Sequence, residues 1–167
     1  QTNDLLQERL YCIQWMQPKI KGKGDNYEFR SINEDDLFRE KIVQDYLAKN
    51  LFEWQDKGWL PSMRIEIGEA PRYQGLDLIR ARGWMYWHHL FNPRQLLIAS
   101  LVNQLSDARL KFGLAQLLNW NSRLSIWSVN DGGGGAVKNT FMNQALNTLF
   151  NYGCRGFGYC RSLLDLE

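Results

Sequence analysis

The residue types best suited to binding chemistry are arginines and aromatics near the middle of the chain. Guanidinium and ammonium groups pair with phosphate oxygens, and exposed aromatic rings can stack on unpaired bases. The candidates for such nucleic-acid contacts are Arg80, Arg82, Trp84, Trp87, Arg94 and Lys138. Ordinary protein cores contain the same mixture, because arginine stems cover apolar side chains. The residues alone therefore leave two interpretations open, a nucleic-acid surface and a structural cluster.

Two adjacent histidines, His88 and His89, lie in this aromatic stretch and are the only histidines of the chain. Adjacent side chains point in different directions on a helix or a strand, so the pair is poorly arranged to bind one metal ion. Further ligands would have to come from Asp, Glu or Cys elsewhere, and none nearby has the spacing of a metal site. We expect no metal, with one histidine buried and hydrogen-bonded and the other on the surface.

A run of four glycines, Gly132 to Gly135, follows Asp131. A phosphate-binding loop needs glycines at set offsets and a Lys-Ser/Thr pair that opens a helix, whereas Lys138 is followed by Asn139. The run does not match the dinucleotide pattern Gly-x-Gly-x-x-Gly either, and it predicts an adaptable loop. No Ser-His-Asp or Cys-His arrangement is supported by spacing, so we assign no catalytic and no cofactor-binding residue.

Charge and cysteine content restrict the setting of the chain. The net charge of +2 is too small to indicate a nucleic-acid partner by itself. Cys12, Cys154 and Cys160 match no zinc-ribbon spacing, and free thiols in a reducing cytoplasm are the simplest account. No signal peptide opens the sequence, and no apolar run reaches membrane-spanning length. We therefore expect a cytoplasmic protein without a membrane partner.

The length of 167 residues is sufficient for one domain with a buried core, and we expect residues 1–167 to form that single domain. Seven Trp, seven Tyr and eight Phe predict that most of the aromatic rings help to fill a well-packed apolar core rich in Trp and Leu. The chain lacks an initiating Met and finishes abruptly at Leu166 and Glu167, which favours a fragment of a longer polypeptide.

Periodicity predicts the elements of the first third. Alternating apolar residues indicate a β-hairpin over residues 9–32, with a turn over residues 17–26. A helix over residues 33–57 follows, with Asn33 as N-cap and the acidic residues Glu34, Asp35 and Asp36 in its first turn. We expect one apolar stripe on this helix, formed by Phe38, Ile42, Val43, Tyr46, Leu47, Leu51 and Trp54.

The remainder divides into a loop-rich aromatic segment over residues 58–91 and a helical part over residues 92–152. Asn92 is a strong N-cap signal because Pro93 occupies the first helical position, where its missing N–H has no cost. Thr140 is expected to cap a last helix. The fold class is thus α+β and mainly α-helical, with an N-terminal β-hairpin followed by three or four packed helices.

Four segments together resemble a family of large prokaryotic adenine-specific DNA methylases. The segments are Tyr27–Arg30 with Glu34–Leu37, Leu90–Leu97, Trp120–Leu124 with Trp127, and Val137–Phe141 with Gln144–Leu146. The second and the fourth of these are the most specific, and the resemblance covers most of residues 9–150.

This resemblance implies transfer of a methyl group from S-adenosylmethionine to the exocyclic amine of adenine in DNA, after extraction of the base from the duplex. The family uses a glycine-containing cofactor loop and an Asp/Asn-Pro-Pro-Tyr/Phe motif, and this chain has neither. Asn92-Pro93-Arg94 lacks the second proline and the aromatic residue. The family's zinc-binding cysteine cluster is missing as well. No catalytic residue is therefore carried over.

The leading interpretation is a non-catalytic internal region of a DNA adenine-N6 methyltransferase that helps to position DNA or braces the catalytic core. Its partners would be DNA, through the parent enzyme, and the remaining domains of the parent chain. S-adenosylmethionine is implied for the parent enzyme only. The alternative is a structural or protein-docking module of a restriction-modification or defence system that does not contact DNA. A third possibility, a self-sufficient small enzyme, requires S-adenosylmethionine binding, and we expect none.

Overall fold

The computed structural model describes residues 10–18, 25–66, 72–73, 76–77, 83–105, 108–128 and 136–138. Two antiparallel strands, β1 (Cys12–Pro18) and β2 (Asp25–Ser31), precede three α-helices. These helices are α1 (Glu34–Asp56), α2 (Pro93–Gln104) and α3 (Ala108–Trp120). The prediction of a mainly helical α+β fold with an N-terminal hairpin is confirmed. None of the described helices combines the length and apolar character that crossing a membrane requires.

The N-terminal hairpin has aromatic residues on both of its faces. Its register pairs Ile13 with Arg30, Gln14 with Phe29 and Trp15 with Glu28, so Trp15 and Phe29 lie on opposite faces. Trp15 is 44% exposed and Phe29 is 54% exposed. Among the described elements, extensive packing of the hairpin is confined to its own two strands. A two-stranded hairpin by itself is marginally stable in water, so this one gains from any further surface that covers its rings.

Helix α1 begins and ends where the sequence predicts. The Asn33 side chain accepts a 3.0 Å hydrogen bond from the Asp36 amide, and the Asn33 amide donates to the Asp36 carboxylate at 3.1 Å. This reciprocal capping box satisfies two of the amides that a helix start leaves without partners. The chain leaves the helix through Gly58, whose φ of 70° suits a residue without a Cβ.

The prediction of one apolar stripe on α1 is wrong. Leu47 and Trp54 are buried, whereas Phe38 is 65% exposed and Ile42 is 50% exposed. Phe38 and Leu47 are nine positions apart, about 2.5 turns at roughly 3.6 residues per turn, and therefore lie on opposite sides of the helix. Helix α1 consequently has an inner apolar face and a separate outer one.

Helix α2 lies between α1 and α3 and contacts both. Asn92 caps it as predicted, because its side chain accepts a 2.9 Å hydrogen bond from the Gln95 amide while Gln95 Oε1 accepts from the Asn92 amide at 2.8 Å. The interior between the helices is aliphatic with one indole ring. Its buried members are Leu47, Trp54, Leu60, Leu96, Ala99, Val102, Leu114 and Leu117.

Short strands occupy part of the chain that the sequence assigns to loop or helix. Strands β3 (Arg72–Tyr73) and β4 (Leu76–Asp77) pair antiparallel within the segment 58–91. Strands β5 (Ile126–Ser128) and β6 (Ala136–Lys138) pair antiparallel within the expected helical part 92–152. β-Branched and aromatic residues such as Ile126, Trp127 and Val137 favour strands, which accounts for the difference. The glycine run and the helix expected at Thr140 lie outside the described residues.

Candidate functional site

The aromatic segment 83–92 is held in place by a small β-bridge and a 3₁₀ helix. Gly83 has a φ of 74°, and the chain then pairs with the loop that follows α1. The Ile65 amide donates to the Met85 carbonyl at 3.0 Å, and the Trp87 amide donates to the Met63 carbonyl at 3.1 Å. The 3₁₀ helix Trp87–Leu90 follows and leads into the cap of α2. These contacts fix which faces of the aromatic residues point inward.

Trp84 and Trp87 are brought together around a second apolar cluster. Its buried members are Ile65, Leu90 and Leu124, which are 1%, 3% and 5% exposed, and both indole rings pack against it while remaining partly exposed. The cluster lies apart from the larger interior between the helices, and Phe91 packs against both. Part of each indole surface is thus used in internal packing.

Arg123 joins this cluster and was not among the predicted site residues. Its guanidinium carbon lies 5.5 Å from the centre of the Trp84 ring, within the range of a cation–π contact. Its Nη1 donates a 2.5 Å hydrogen bond to the His89 carbonyl, and its amide donates to the Leu90 carbonyl at 2.7 Å. The sequence signal that could have found it is the polar stretch Asn121-Ser122-Arg123, which directly follows α3.

A buried serine turn presents Arg123 to the cluster. The Ser122 amide donates to Ser125 Oγ at 3.2 Å, and the Leu124 amide donates to Ser122 Oγ at 3.1 Å. Both serine side chains are almost completely buried. Side-chain hydroxyls that bond to nearby amides stabilise a tight turn in place of helix or strand. The turn directs Leu124 inward while Arg123 reaches the face of Trp84.

Both histidines are half-buried and both are hydrogen-bonded, so the prediction of one buried and one surface histidine is wrong. His88 Nδ1 lies 3.1 Å from Gln55 Nε2, and His89 Nδ1 accepts a 3.1 Å hydrogen bond from the Met85 amide. Their ring centres are 4.4 Å apart. The short 3₁₀ helix turns His88 toward the end of α1 and the loop after it, and His89 back toward the backbone of its own segment, which sequence spacing does not indicate.

The histidine environment disfavours the protonated form. Burial, followed by repulsion from His89, lowers the pKa of His88 below its ordinary value. Burial, followed by repulsion from Arg123, lowers the pKa of His89, although a hydrogen bond to the Gly83 backbone acts in the opposite direction. Within the described part of the chain, no group of three or more His, Cys, Asp or Glu residues is arranged to bind a metal ion.

The predicted basic residues are not brought to one place by the described structure. Arg94 lies at the start of α2, where its Nε is 3.0 Å from Glu40 Oε2 on α1. This contact is an ion pair without the alignment of a hydrogen bond. Lys138 is placed only as a backbone position in β6, opposite Ile126. Arg80 and Arg82 lie outside the described residues. Of the six candidates, only Trp84 and Trp87 share a cluster that the structure describes.

A cavity of about 380 Å³ lies at the junction of the helices. Its lining is mostly apolar, and the side-chain amides of Gln55 and Asn103 also border it. Gln55 Nε2 donates to the Pro61 carbonyl at 3.0 Å, and Asn103 Nδ2 donates to the Trp59 carbonyl at 3.0 Å. Both amides therefore hold the loop after α1 against the helices.

No protein-family model, curated protein or solved structure matches this chain.

Proposed function

We propose that this chain is a non-catalytic internal region of an S-adenosylmethionine-dependent DNA adenine-N6 methyltransferase, and that it braces the catalytic core. The resemblance of the segments Leu90–Leu97, Trp120–Trp127 and Val137–Leu146 to adenine-specific DNA methylases supports the parentage. In this proposal the other domains of the parent enzyme bind S-adenosylmethionine and carry out the methyl transfer. The chain described here contributes a fixed surface to that assembly.

The observation that supports bracing over base stacking is the position of Trp84 beneath Arg123. A residue that stacks on an unpaired base presents an open ring face, and a guanidinium that binds phosphate keeps its donors available. Here the guanidinium covers part of the Trp84 ring and donates to the His89 carbonyl. Arg94 is likewise engaged with Glu40 on the neighbouring helix. These groups therefore act first in holding the fold together.

The surface that suits contact with a catalytic core is the N-terminal hairpin. Trp15 on one face of the hairpin is 44% exposed and Phe29 on the other face is 54% exposed, while Tyr11, directly before β1, is 52% exposed, so either face offers an aromatic ring. Aromatic rings at the centre of a contact patch supply much of the binding free energy of protein interfaces. The same surface supports the second candidate function, a protein-docking module of a DNA modification or defence system that does not contact DNA.

The parentage is tested by the reading frame that encodes the chain. A methylase origin requires a glycine-containing cofactor loop upstream and an Asp-Pro-Pro-Tyr-like tetrapeptide downstream. A reading frame that extends in both directions without these motifs would contradict the methylase assignment. In that case the protein-docking module would be the better supported of the two candidate functions.

Bracing is separated from DNA positioning by titrating fluorescent duplex and single-stranded DNA at low salt. Bracing predicts no binding by the chain alone, whereas DNA positioning predicts an affinity that falls steeply with salt as counterions are released. If the chain alone binds DNA, the variant carrying Arg80→Ala and Arg82→Ala tests whether these arginines are responsible, with circular dichroism as the control for folding. Binding that is abolished in this variant would contradict bracing as the main role.

A further inference from the structure

The outer face of α1 has a row of apolar side chains that no described element covers. Phe38, Ile42 and Tyr46 are spaced four residues apart and are 65%, 50% and 49% exposed. Residues at this spacing lie above one another along a single helix face. Leu47 lies on the opposite side of the helix from Phe38 and is buried in the interior, while Tyr46 lies at the edge of the outer face, with its ring centre 5.7 Å from that of the buried Trp54. A helix that is apolar on two sides is typical of one that is covered on two sides.

Two opposite charges flank this row at equal distances. Asp35 lies three residues before Phe38, and Lys49 lies three residues after Tyr46, so both fall on the same face. Both side chains are exposed, and among the described residues neither takes part in an ion pair. From the N-terminal to the C-terminal end of α1, the face therefore carries a negative charge, three apolar side chains and a positive charge.

Two copies of such a face match each other when the helices run antiparallel, because the negative end of one helix then lies opposite the positive end of the other. We propose that two copies of this chain pair through the outer faces of α1, antiparallel, about a two-fold axis that passes beside Ile42. Phe38 then lies opposite the partner's Tyr46, and Ile42 meets the partner's Ile42. Asp35 lies opposite the partner's Lys49, and the symmetry repeats each contact. This inference concerns a different surface from the hairpin and is independent of the methylase parentage.

Charge selects this register over its neighbours. A slip of one helical turn places Asp35 opposite either the partner's Glu53 or the partner's Asp45, and both changes bring like charges together. A parallel arrangement sets Asp35 beside the partner's Asp35 and Lys49 beside the partner's Lys49. Like charges across an interface suppress the wrong arrangement, while opposite charges fix the register. Only the antiparallel pairing centred on Ile42 joins the apolar row to opposite charges at both ends.

The size of the contact indicates a weak dimer. In this register residues 34–50 of the two helices overlap over a length of about 25 Å and a width of about 10 Å, so the two faces together offer on the order of 500 Å². Stable protein interfaces bury roughly 1,200–2,000 Å² in total. We therefore expect a dissociation constant in the micromolar range, and a monomer–dimer equilibrium that depends on protein concentration.

The experiment is sedimentation equilibrium of the 167-residue chain over a wide range of protein concentration. Ile42→Glu places two carboxylates together at the two-fold axis and should raise the dissociation constant at least about a hundredfold. Lys49→Glu should raise it by about tenfold, since two ion pairs become repulsive contacts. The double variant Asp35→Lys with Lys49→Glu restores opposite charges and should recover the original constant.

A matched control is Leu105→Ser, which removes a side chain that is 61% exposed beyond the end of α2. It should leave the dimer unchanged. Circular dichroism checks that each variant is folded, and the substituted positions on α1 are all exposed. A chain that is folded and monomeric at all concentrations overturns the proposal. A dimer that does not respond to Lys49→Glu, or that the double charge reversal does not restore, overturns it as well.

Discussion

Arg123 and Trp84 are joined across 39 positions of sequence, with the guanidinium carbon 5.5 Å from the ring centre. The same guanidinium donates a hydrogen bond to the His89 carbonyl at 2.5 Å. One side chain thus connects the turn after α3 to the aromatic segment before α2. This contact makes the segment part of the folded interior.

Arg123→Ala should lower the free energy of unfolding by about 1–3 kcal/mol. It removes a cation–π contact worth roughly 0.5–2 kcal/mol and leaves a partly buried carbonyl without this donor. Arg123→Lys should lower the free energy of unfolding by a smaller amount, because the ammonium keeps a positive charge near Trp84 although the planar donor geometry is lost. Urea unfolding measures both changes. Arg39→Ala is the matched control, since the Arg39 side chain is 70% exposed. A change under about 0.5 kcal/mol for Arg123→Ala would contradict the bracing role of this contact.

The lowered pKa values of His88 and His89 predict that stability is lost in mild acid. The unfolded chain has histidine pKa values of about 6.5, whereas the folded chain holds the pKa of each ring lower. The unfolded state therefore binds more protons as the pH falls through about 6.5, and the free energy of unfolding decreases until the folded pKa values are reached. Above about pH 7.5 the contribution of both rings is fully present.

Thermal unfolding between pH 7.5 and 5.5 measures this effect. The double variant His88→Asn with His89→Asn keeps an acceptor oxygen near each Nδ1 position but does not titrate, and its melting temperature should vary less over this interval. These are the only two histidines of the chain, so other histidines cannot produce the slope. An identical pH dependence in the wild-type chain and the double variant would show that the two rings are not responsible.

Gly58→Ala should destabilise the chain by about 1 kcal/mol although there is room for the methyl group. Apart from Gly58 itself and its two chain neighbours, no atom lies within 4 Å of the position that a Cβ would occupy, so the cost arises from the φ of 70°. Gly58→Asn should lower the free energy of unfolding by a smaller amount, because asparagine tolerates this left-handed conformation better than other residues with side chains. Chemical denaturation of the two variants gives the comparison. Equal losses would indicate that backbone conformation is not the cause.

The Arg94–Glu40 ion pair should contribute a coupling free energy of about 0.5–1 kcal/mol between α1 and α2. The two side chains are 37% and 18% exposed, so solvent screens part of the attraction. A double-mutant cycle with Arg94→Met and Glu40→Gln isolates the pairwise contribution, because both replacements keep apolar stem length. A coupling near zero would mean that the pair does not join the helices and that Arg94 is available for other contacts.

Much of the fold was predictable because its signals are local. Asn33 and Asn92 cap their helices as predicted, since an N-cap needs only a short side chain and the amide three residues later. The hairpin was predicted from alternation, although its strands extend to Pro18 and begin at Asp25, further into the expected turn. The division of the chain into one domain, the DNA contacts and the methylase parentage remain predictions.

Capping residues and apolar spacing act over a few positions, so the amino-acid sequence was enough to locate the helices and the N-terminal hairpin. Whether a given apolar residue is buried or exposed depends instead on the packing of distant segments. Phe38 and Leu47 are both apolar members of α1, yet α2 packs against one side of the helix, so Leu47 is buried and Phe38 remains 65% exposed. Arg123 meets Trp84 for the same reason: burial and contact depend on which distant segments pack together, and periodicity within one segment contains no information about that choice.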